Sequence, residues 1–248
     1  MRRLLPLLGV LLLVGCGGGT TTGSGPAATT IAPATTGAPA SDATADVFPA
    51  AGKARATVVL YHGWTDIAPD DYRPWIRHLN DEGVTVLFPR YQRSVLSLPG
   101  QMLADAETAT RDGFAKADTT QPVISVGYSL GGGYAVVYAA NAAQWHVPAP
   151  AAVYAIFPAE PPTVPDPFGT VPSSTPVTML VGDRDTVVGR DGADGLAQLI
   201  APHPTTIRTL SSTARLAFDH LAAKRTDAVA QRAFWAPLDR IVNALAKG

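Results

Sequence analysis

Residues 123–133 read Val-Ile-Ser-Val-Gly-Tyr-Ser-Leu-Gly-Gly-Gly. An apolar, β-branched run meets Gly127-Tyr128-Ser129-Leu130-Gly131, and a helix-forming stretch from Tyr134 to Gln144 follows. A strand, a tight turn and a helix with a serine at the turn is the setting in which a hydroxyl is lifted off a sheet edge and presented as a nucleophile. Serine attacks poorly at neutral pH unless a base accepts its proton. That base must be held in one tautomer by an acid, and the negative charge developing on the substrate needs N–H donors. The Gly-x-Ser-x-Gly spacing is a weak signal alone. It gains weight if those three partners occur where the chain can deliver them.

The elements that must deliver them are legible as alternation. Thr57–Tyr61, Val84–Phe88, Pro122–Tyr128, Ala151–Phe157, Pro176–Gly182 and Thr205–Leu210 are short apolar runs and read as buried parallel strands. Helices are expected at 70–82, 100–117, 130–146, 191–201 and about 226–246. Strands alternating with helices imply an α/β fold: about six mainly parallel strands with helices on both faces. Little room remains before Thr57 for extra antiparallel strands.

In such sheets the site gathers beyond the carboxyl ends of the strands, and this sorts the candidates. Of the five histidines, His78 lies within a helix, His146 ends the helix that starts at Ser129, and His203 precedes a strand. His62 is at the correct edge but comes before Ser129 in the chain, and it reads as a structural turn residue. His220 follows the last strand in Phe218-Asp219-His220 and is the expected base. The acid should follow an earlier strand. Gly182-Asp183-Arg184-Asp185-Thr186-Val187 offers two carboxylates. Asp185, further along the turn, is preferred, with Asp183 as a carboxylate capping nearby N–H groups. Glu160 is the distant alternative, and Asp219 is too close to His220 in sequence to face it. The turn Tyr61-His62-Gly63-Trp64 follows the first strand. The backbone N–H groups of Trp64 and Leu130 are the candidate oxyanion donors.

The N-terminal segment has a different purpose. Arg2 and Arg3 precede an apolar run, Leu4 to Val14, too short to span a bilayer but suited to a signal peptide. It ends in Leu13-Val14-Gly15-Cys16, similar to a bacterial lipobox, which implies cleavage before Cys16 and lipid attachment to it. Cys16 is the chain's single cysteine, so no internal disulfide accounts for it. Residues 17–46 are mostly Gly, Thr, Ala, Pro and Ser, with Asp42 and Asp46 and one large apolar residue, Ile31; they read as a flexible tether of about 30 Å mean span. The expected division is a signal peptide at 1–15, a lipidated cysteine and tether at 16–46, and one domain at 47–248. Net charge is −1 with no basic block, which gives no sign of a nucleic-acid partner. An extracytoplasmic, lipid-anchored monomer is expected.

Taken in order, strand–His-Gly-Trp, Gly-Tyr-Ser-Leu-Gly, Gly-Asp-Arg-Asp-Thr-Val and the late Asp-His resemble the α/β-hydrolase superfamily from about residue 50 to 246. The nearest flavour is the dienelactone-hydrolase-like and small esterase group, with serine where that group often has cysteine. The resemblance implies the α/β-hydrolase fold, a Ser129–His220–Asp185 triad, and no metal or organic cofactor. Many members insert a helical cap between the strands ending near Phe157 and starting near Pro176. Here Pro158–Thr175 is short and proline-rich, so a rigid rim around an open, shallow site is expected in place of a large cap domain. Trp64, Tyr91, Tyr128 and Phe157, at strand ends, are the candidate pocket residues. Arg90 and Arg93 are read as solvated surface cations, with attraction of a substrate carboxylate as the alternative.

The function expected is that of a serine hydrolase acting on a small-molecule carboxylic ester through an acyl-enzyme. Acyl transfer or peptide hydrolysis would use the same groups. A catalytically idle binding or envelope lipoprotein on the same fold is the reading from a different class.

Overall fold

Seven strands form one sheet in the computed structural model, which describes residues 41–117 and 120–247. The signal peptide, Cys16 and most of the tether lie outside the described residues. In chain order the elements are β1 (Ala45–Phe48), β2 (Ala56–Tyr61), a 3₁₀ turn (Pro69–Tyr72), α1 (Arg73–Asp81), β3 (Val84–Pro89), α2 (Pro99–Lys116), β4 (Val123–Tyr128), α3 (Leu130–Asn141), β5 (Ala152–Ile156), β6 (Val177–Gly182), α4 (Asp191–Leu199) and β7 (Thr205–Leu210). A 3₁₀ segment (His220–Lys224), α5 (Ala228–Ala230), a π turn (Gln231–Trp235) and α6 (Ala236–Leu245) complete the domain. The strand order is β1-β3-β2-β4-β5-β6-β7. All pairs are parallel except β1 with β3.

The period of two along the strands divides the core into two layers. Val58, Leu60, Val86, Phe88, Val126, Tyr154 and Ile156 face α1 and α6, where Trp75, Ile76, Leu79, Leu238 and Val242 pack. Val59, Tyr61, Leu87, Val153, Ala155 and Met179 face α2, α3 and α4. Every residue of α3 is buried, as expected of a helix that is apolar all round. The stretch Pro158–Thr175 contains no helix or strand. It runs against α3: Gly169 N–H donates to Asn141 Oδ1 at 2.9 Å.

Three expectations change. The sheet has seven strands, because Ala45–Phe48 adds an antiparallel edge. The run is only four residues long and lies in low-complexity sequence, so its own composition gives no strand signal. The tether therefore stops earlier than residue 46. Ala43 and Ala45 are buried, Ser41 Oγ donates to Asp105 at 2.5 Å, and Ala45 N–H donates to Asp112 at 2.8 Å. Finally, β7 is an edge strand whose side chains are mostly half-buried or exposed rather than buried throughout.

The edge strand makes a stability prediction. A chain beginning at Asp46 loses the Ala43 and Ala45 packing, the Ala45–Asp112 bond and the bond from Arg90 N–H to Thr44 O. At about 1 kcal/mol for each hydrogen bond, it should be less stable than a chain beginning at Ser41 by about 2–3 kcal/mol, or roughly 5–10 °C in Tm. Parallel thermal melts measure the difference.

Candidate active site

Ser129 sits between β4 and α3 with φ 54° and ψ −125°, a conformation that L-residues rarely adopt. Packing on both sides enforces it. A Cβ on Gly127 would lie 2.0 Å from Gly131 O, and one on Gly131 would lie 2.2 Å from Tyr61 O. The two glycines let the first turn of α3 fold back on β4 and press against the end of β2. Backbone hydrogen bonds fasten the turn: Ser129 N–H donates to Ile156 O at 3.0 Å, and Ser129 O accepts from Ala159 at 2.9 Å.

Ser129, His220 and Asp185 stand in one hydrogen-bonded line. His220 Nε2 lies 2.9 Å from Ser129 Oγ, and His220 Nδ1 lies 2.9 Å from Asp185 Oδ2. An ionised carboxylate can only accept, so Nδ1 carries the proton and Nε2 faces the serine hydroxyl as an acceptor. Asp185 Oδ1 accepts from Val187 N–H at 2.9 Å and Val188 N–H at 3.1 Å. Burial alone would raise the Asp185 carboxyl. The bonds from His220, Val188 and Val187 outweigh it and hold the group below the ordinary carboxylate range.

The second aspartate of the loop works at longer range than a local turn cap. Asp183 Oδ2 accepts from Ser212 N–H at 2.8 Å, and its Oδ1 meets the Ser212 hydroxyl. Ser212 Oγ in turn accepts from Phe218 N–H at 2.9 Å. A Cβ on Gly182 would stand 2.0 Å from Phe218 O. Asp183 and the bare Gly182 backbone thus hold the 211–219 loop that delivers His220 to Asp185. Asp219 caps the segment after it, accepting from Leu221 N–H at 3.1 Å. Glu160 is exposed above α4 and takes no part.

The turn after β2 lies against the first turn of α3, since the nearest atoms to a Gly131 Cβ are Tyr61 O and His62 O. Gly63 N–H donates to Tyr72 Oη at 2.8 Å, and Thr65 N–H donates to Gln92 Oε1 at 2.9 Å. Among the described residues the Trp64 N–H between them has no internal acceptor. Leu130 opens α3, where an N–H has no partner within its own helix. His62 is fully buried, with its ring on Tyr91 (centroids 4.2 Å apart) and Nδ1 2.8 Å from Gly63 O. Burial pushes its pKa from 6.5 down to about 4.

An ion-pair network not foreseen from sequence joins this turn to the histidine segment. Tyr72 Oη donates to Asp66 Oδ2 at 2.9 Å, and Lys224 Nζ donates to Asp66 Oδ1 at 2.5 Å and Asp71 Oδ2 at 3.2 Å. Lys224 follows His220 by four residues, and Tyr128 Oη donates to His220 O at 2.8 Å. Burial disfavours the Lys224 charge, but Asp66 and Asp71 outweigh it and raise its pKa. The signal was Asp66 and Lys224 themselves, far apart in sequence and each unremarkable alone.

The aromatic candidates divide. Trp64 is exposed, and the buried Tyr128 lines a cavity of about 20 Å³ with Tyr72, Trp75, Ile156, Lys224 and Trp235, a lining that includes neither Ser129 nor His220. Tyr91 and Phe157 do not line an accessible pocket. Both are fully buried: Tyr91 Oη donates to His62 O at 2.6 Å, and Phe157 packs edge-on against Phe234 with its ring 6.3 Å from His220. Strand ends in this sheet are overlaid by the loops that follow, and that overlay buries them. Arg90 and Arg93 are not free cations. Arg90 pairs with Asp46 at 2.7 Å, and Arg93 pairs with Asp42 at 2.5 Å and Asp105 at 2.8 Å. Among the described residues no cluster of His, Cys, Asp or Glu is disposed to hold a metal ion.

No protein-family model and no curated protein matches the chain. Among solved structures, the apo form of esterase 2 from the planctomycete Thermogutta terrifontis superposes with a TM-score of 0.59 at 15% identity, covering 81% of this chain and 88% of that one. The butyrate-bound form gives 0.57 at 16% identity with the same coverage. A structure from the work on LipS and LipT, two metagenome-derived lipolytic enzymes, gives 0.54 at 17% identity over 79% of this chain and 97% of that one. With the sheet order above, these likenesses define the α/β-hydrolase fold, without a large cap.

His62 makes a pH prediction. Between pH 6.5 and 4 the unfolded chain binds a proton at this imidazole that the folded chain refuses. Stability therefore rises with pH across that window, and the His62 contribution is fully present above pH 6.5. About 3 kcal/mol of unfolding free energy should be lost on acidification to pH 4. His62→Asn, which keeps a donor to Gly63 O but cannot titrate, should flatten that part of the profile in denaturant melts.

Proposed function

We propose that the chain is a serine hydrolase whose substrates are carboxylic esters, and that it acts through an acyl-enzyme. The observation that carries this is the continuous line from Ser129 Oγ through His220 to Asp185, with the serine on a strained elbow. Ser129 Oγ attacks the ester carbonyl carbon while His220 Nε2 takes its proton. The oxyanion accepts hydrogen bonds from the Leu130 and Trp64 N–H groups, each donor being worth about 3–4 kcal/mol at the transition state. As the carbonyl–oxygen bond to the alcohol breaks, Nε2 returns the proton to the departing oxygen. Water then attacks the acyl-serine, giving its proton to His220. The acid is released and Ser129 regains its hydrogen. Asp185 holds the tautomer and stabilises the imidazolium throughout. The esterase and lipolytic neighbours, and serine at the position where the dienelactone-hydrolase-like group often has cysteine, support ester chemistry over the other acyl transfers open to this set.

The lipobox-like Leu-Val-Gly-Cys supports a location outside the cytoplasm, with a lipid on Cys16 and a monomeric domain tethered to a bacterial membrane. Cys16→Ser should abolish metabolic labelling with a fatty acid and release the protein from the membrane fraction. Labelled Cys16→Ser protein would remove this reading.

A fluorophosphonate probe should label the wild-type chain and leave Ser129→Ala unlabelled with an unchanged melting temperature. Asp185→Asn should lower kcat by about 10³–10⁴-fold. Asp183→Asn should lower it less than tenfold, by loosening the 211–219 loop. A native wild type that does not label would favour a binding protein on this fold. The reverse ranking of the aspartates would move the acid to Asp183.

A further inference from the structure

The large apolar side chains left exposed among the described residues are Trp64, Val95, Leu96, Leu98, Val187 and Leu221. Single exposed apolar residues are ordinary on a protein surface, but these six do not scatter. Trp64 follows β2, the 95–98 group lies between β3 and α2, Val187 follows β6, and Leu221 adjoins His220. All stand beyond the carboxyl ends of the parallel strands, on both sides of Ser129 in the strand order. Leu96 is 83% exposed, Leu98 72% and Trp64 44%. A one-sided collection of this kind marks an interaction surface.

The chain itself enters at the same edge. Because β1 is antiparallel to β3, its first residue pairs with the last of β3, Ala45 with Pro89. Upstream of it, Asp42 is paired with Arg93, beside the 95–98 group. The described chain therefore enters the domain at the carboxyl-end edge of the sheet, the edge that carries Ser129. Arg90 pairs with Asp46, Arg93 with Asp42 and Asp105, and Lys224 with Asp66 and Asp71, while the exposed Arg184 and Arg215 at this edge are offset in charge by the exposed Asp183 and Asp219. The surface is apolar without a net basic field, which suits a zwitterionic lipid surface and does not call for anionic headgroups.

We infer that this edge docks on a lipid bilayer, with the apolar collar in the interface and the mouth of the site facing the lipid, so that the esters hydrolysed are membrane-resident acyl esters. The inference builds on the lipid-anchor and esterase readings above, and its test separates it from both. Trp75, Trp145 and Trp235 are buried, so Trp64 is the tryptophan that reports contact with lipid.

The full-length chain is reconstituted in phosphatidylcholine vesicles, with and without bromine on the acyl chains, and its tryptophan emission is recorded. Trp64→Phe supplies the background from the buried tryptophans. The Trp64 component should be quenched by at least half in brominated vesicles and should stay quenched at 0.5 M salt. The double variant Leu96→Asp/Leu98→Asp should abolish the quenching. It should hydrolyse a long-chain ester held in the vesicles at least tenfold more slowly while hydrolysing a short water-soluble ester within twofold of wild type. Ser129→Ala should be quenched like wild type, so docking is read whether or not the chain is an esterase. Mass spectrometry of the N-terminal peptide reads the Cys16 lipid separately; an unlipidated chain is tested by adding it to excess vesicles. Unquenched Trp64 on vesicle-bound protein overturns the inference, and concentration-dependent dimers in light scattering would then assign the collar to a second copy of the chain.

Discussion

The site depends on one close approach. The first turn of α3 lies so near the end of β2 that no Cβ fits at Gly131, and β4 lies so near α3 that none fits at Gly127. That contact holds Ser129 at a backbone conformation costing on the order of 1–3 kcal/mol. The sheet and the fully buried α3 supply the compensation. The same contact brings the turn containing Trp64 alongside the N-terminus of α3. The candidate nucleophile and the two N–H groups proposed as oxyanion donors are therefore positioned by a single packing event.

The other half of the site is held by polar links between loops distant in sequence. Asp185 orients His220, while Asp183, two residues earlier, secures the loop that carries it by way of Ser212. Lys224 ties the end of the histidine segment to Asp66, and Tyr72 passes that link to Gly63 N–H. Asp185, His220, Asp66 and Tyr72 are buried, so their bonds are stronger than on an open surface and loss of one partner leaves a buried group unpaired, whereas the Asp183–Ser212 link is exposed to water. The expected outcome is a rigid site on a sheet edge, with an apolar collar around it that the sheet does not need.

Much of this was legible in order. The six parallel strands declared themselves as apolar or β-branched runs, continuous because of burial on both faces in all but the edge strand β7, and their boundaries differ from the observed ones by at most one residue at each end. Position relative to the strand ends was enough to put Ser129, His220 and the Asp183/Asp185 pair forward as candidates from many polar residues, because the topology fixes which loops share an edge. β1 escaped notice since four residues of low-complexity sequence acquire their strand state only by pairing with β3. Arg90 and Arg93 are surface cations as read, but their pairing escaped notice for the same reason: their partners, Asp46, Asp42 and Asp105, become neighbours only when that edge forms. Tyr91 and Phe157 were placed at strand ends correctly but assigned to a pocket, although overlying loops bury them.

By itself the sequence determined the fold class, the chain order of the candidate nucleophile, acid and base, and the turn that could supply a second N–H donor. These depend on local features: hydrophobic period, glycine spacing and the alternation of strand with helix. Only the tertiary structure decided which aspartate meets His220 and which anchors its loop, which arginines are paired, and that six exposed apolar side chains share one edge with the entering chain. Those properties are distances between residues tens of positions apart, and such distances are set when the sheet closes and its loops pack together.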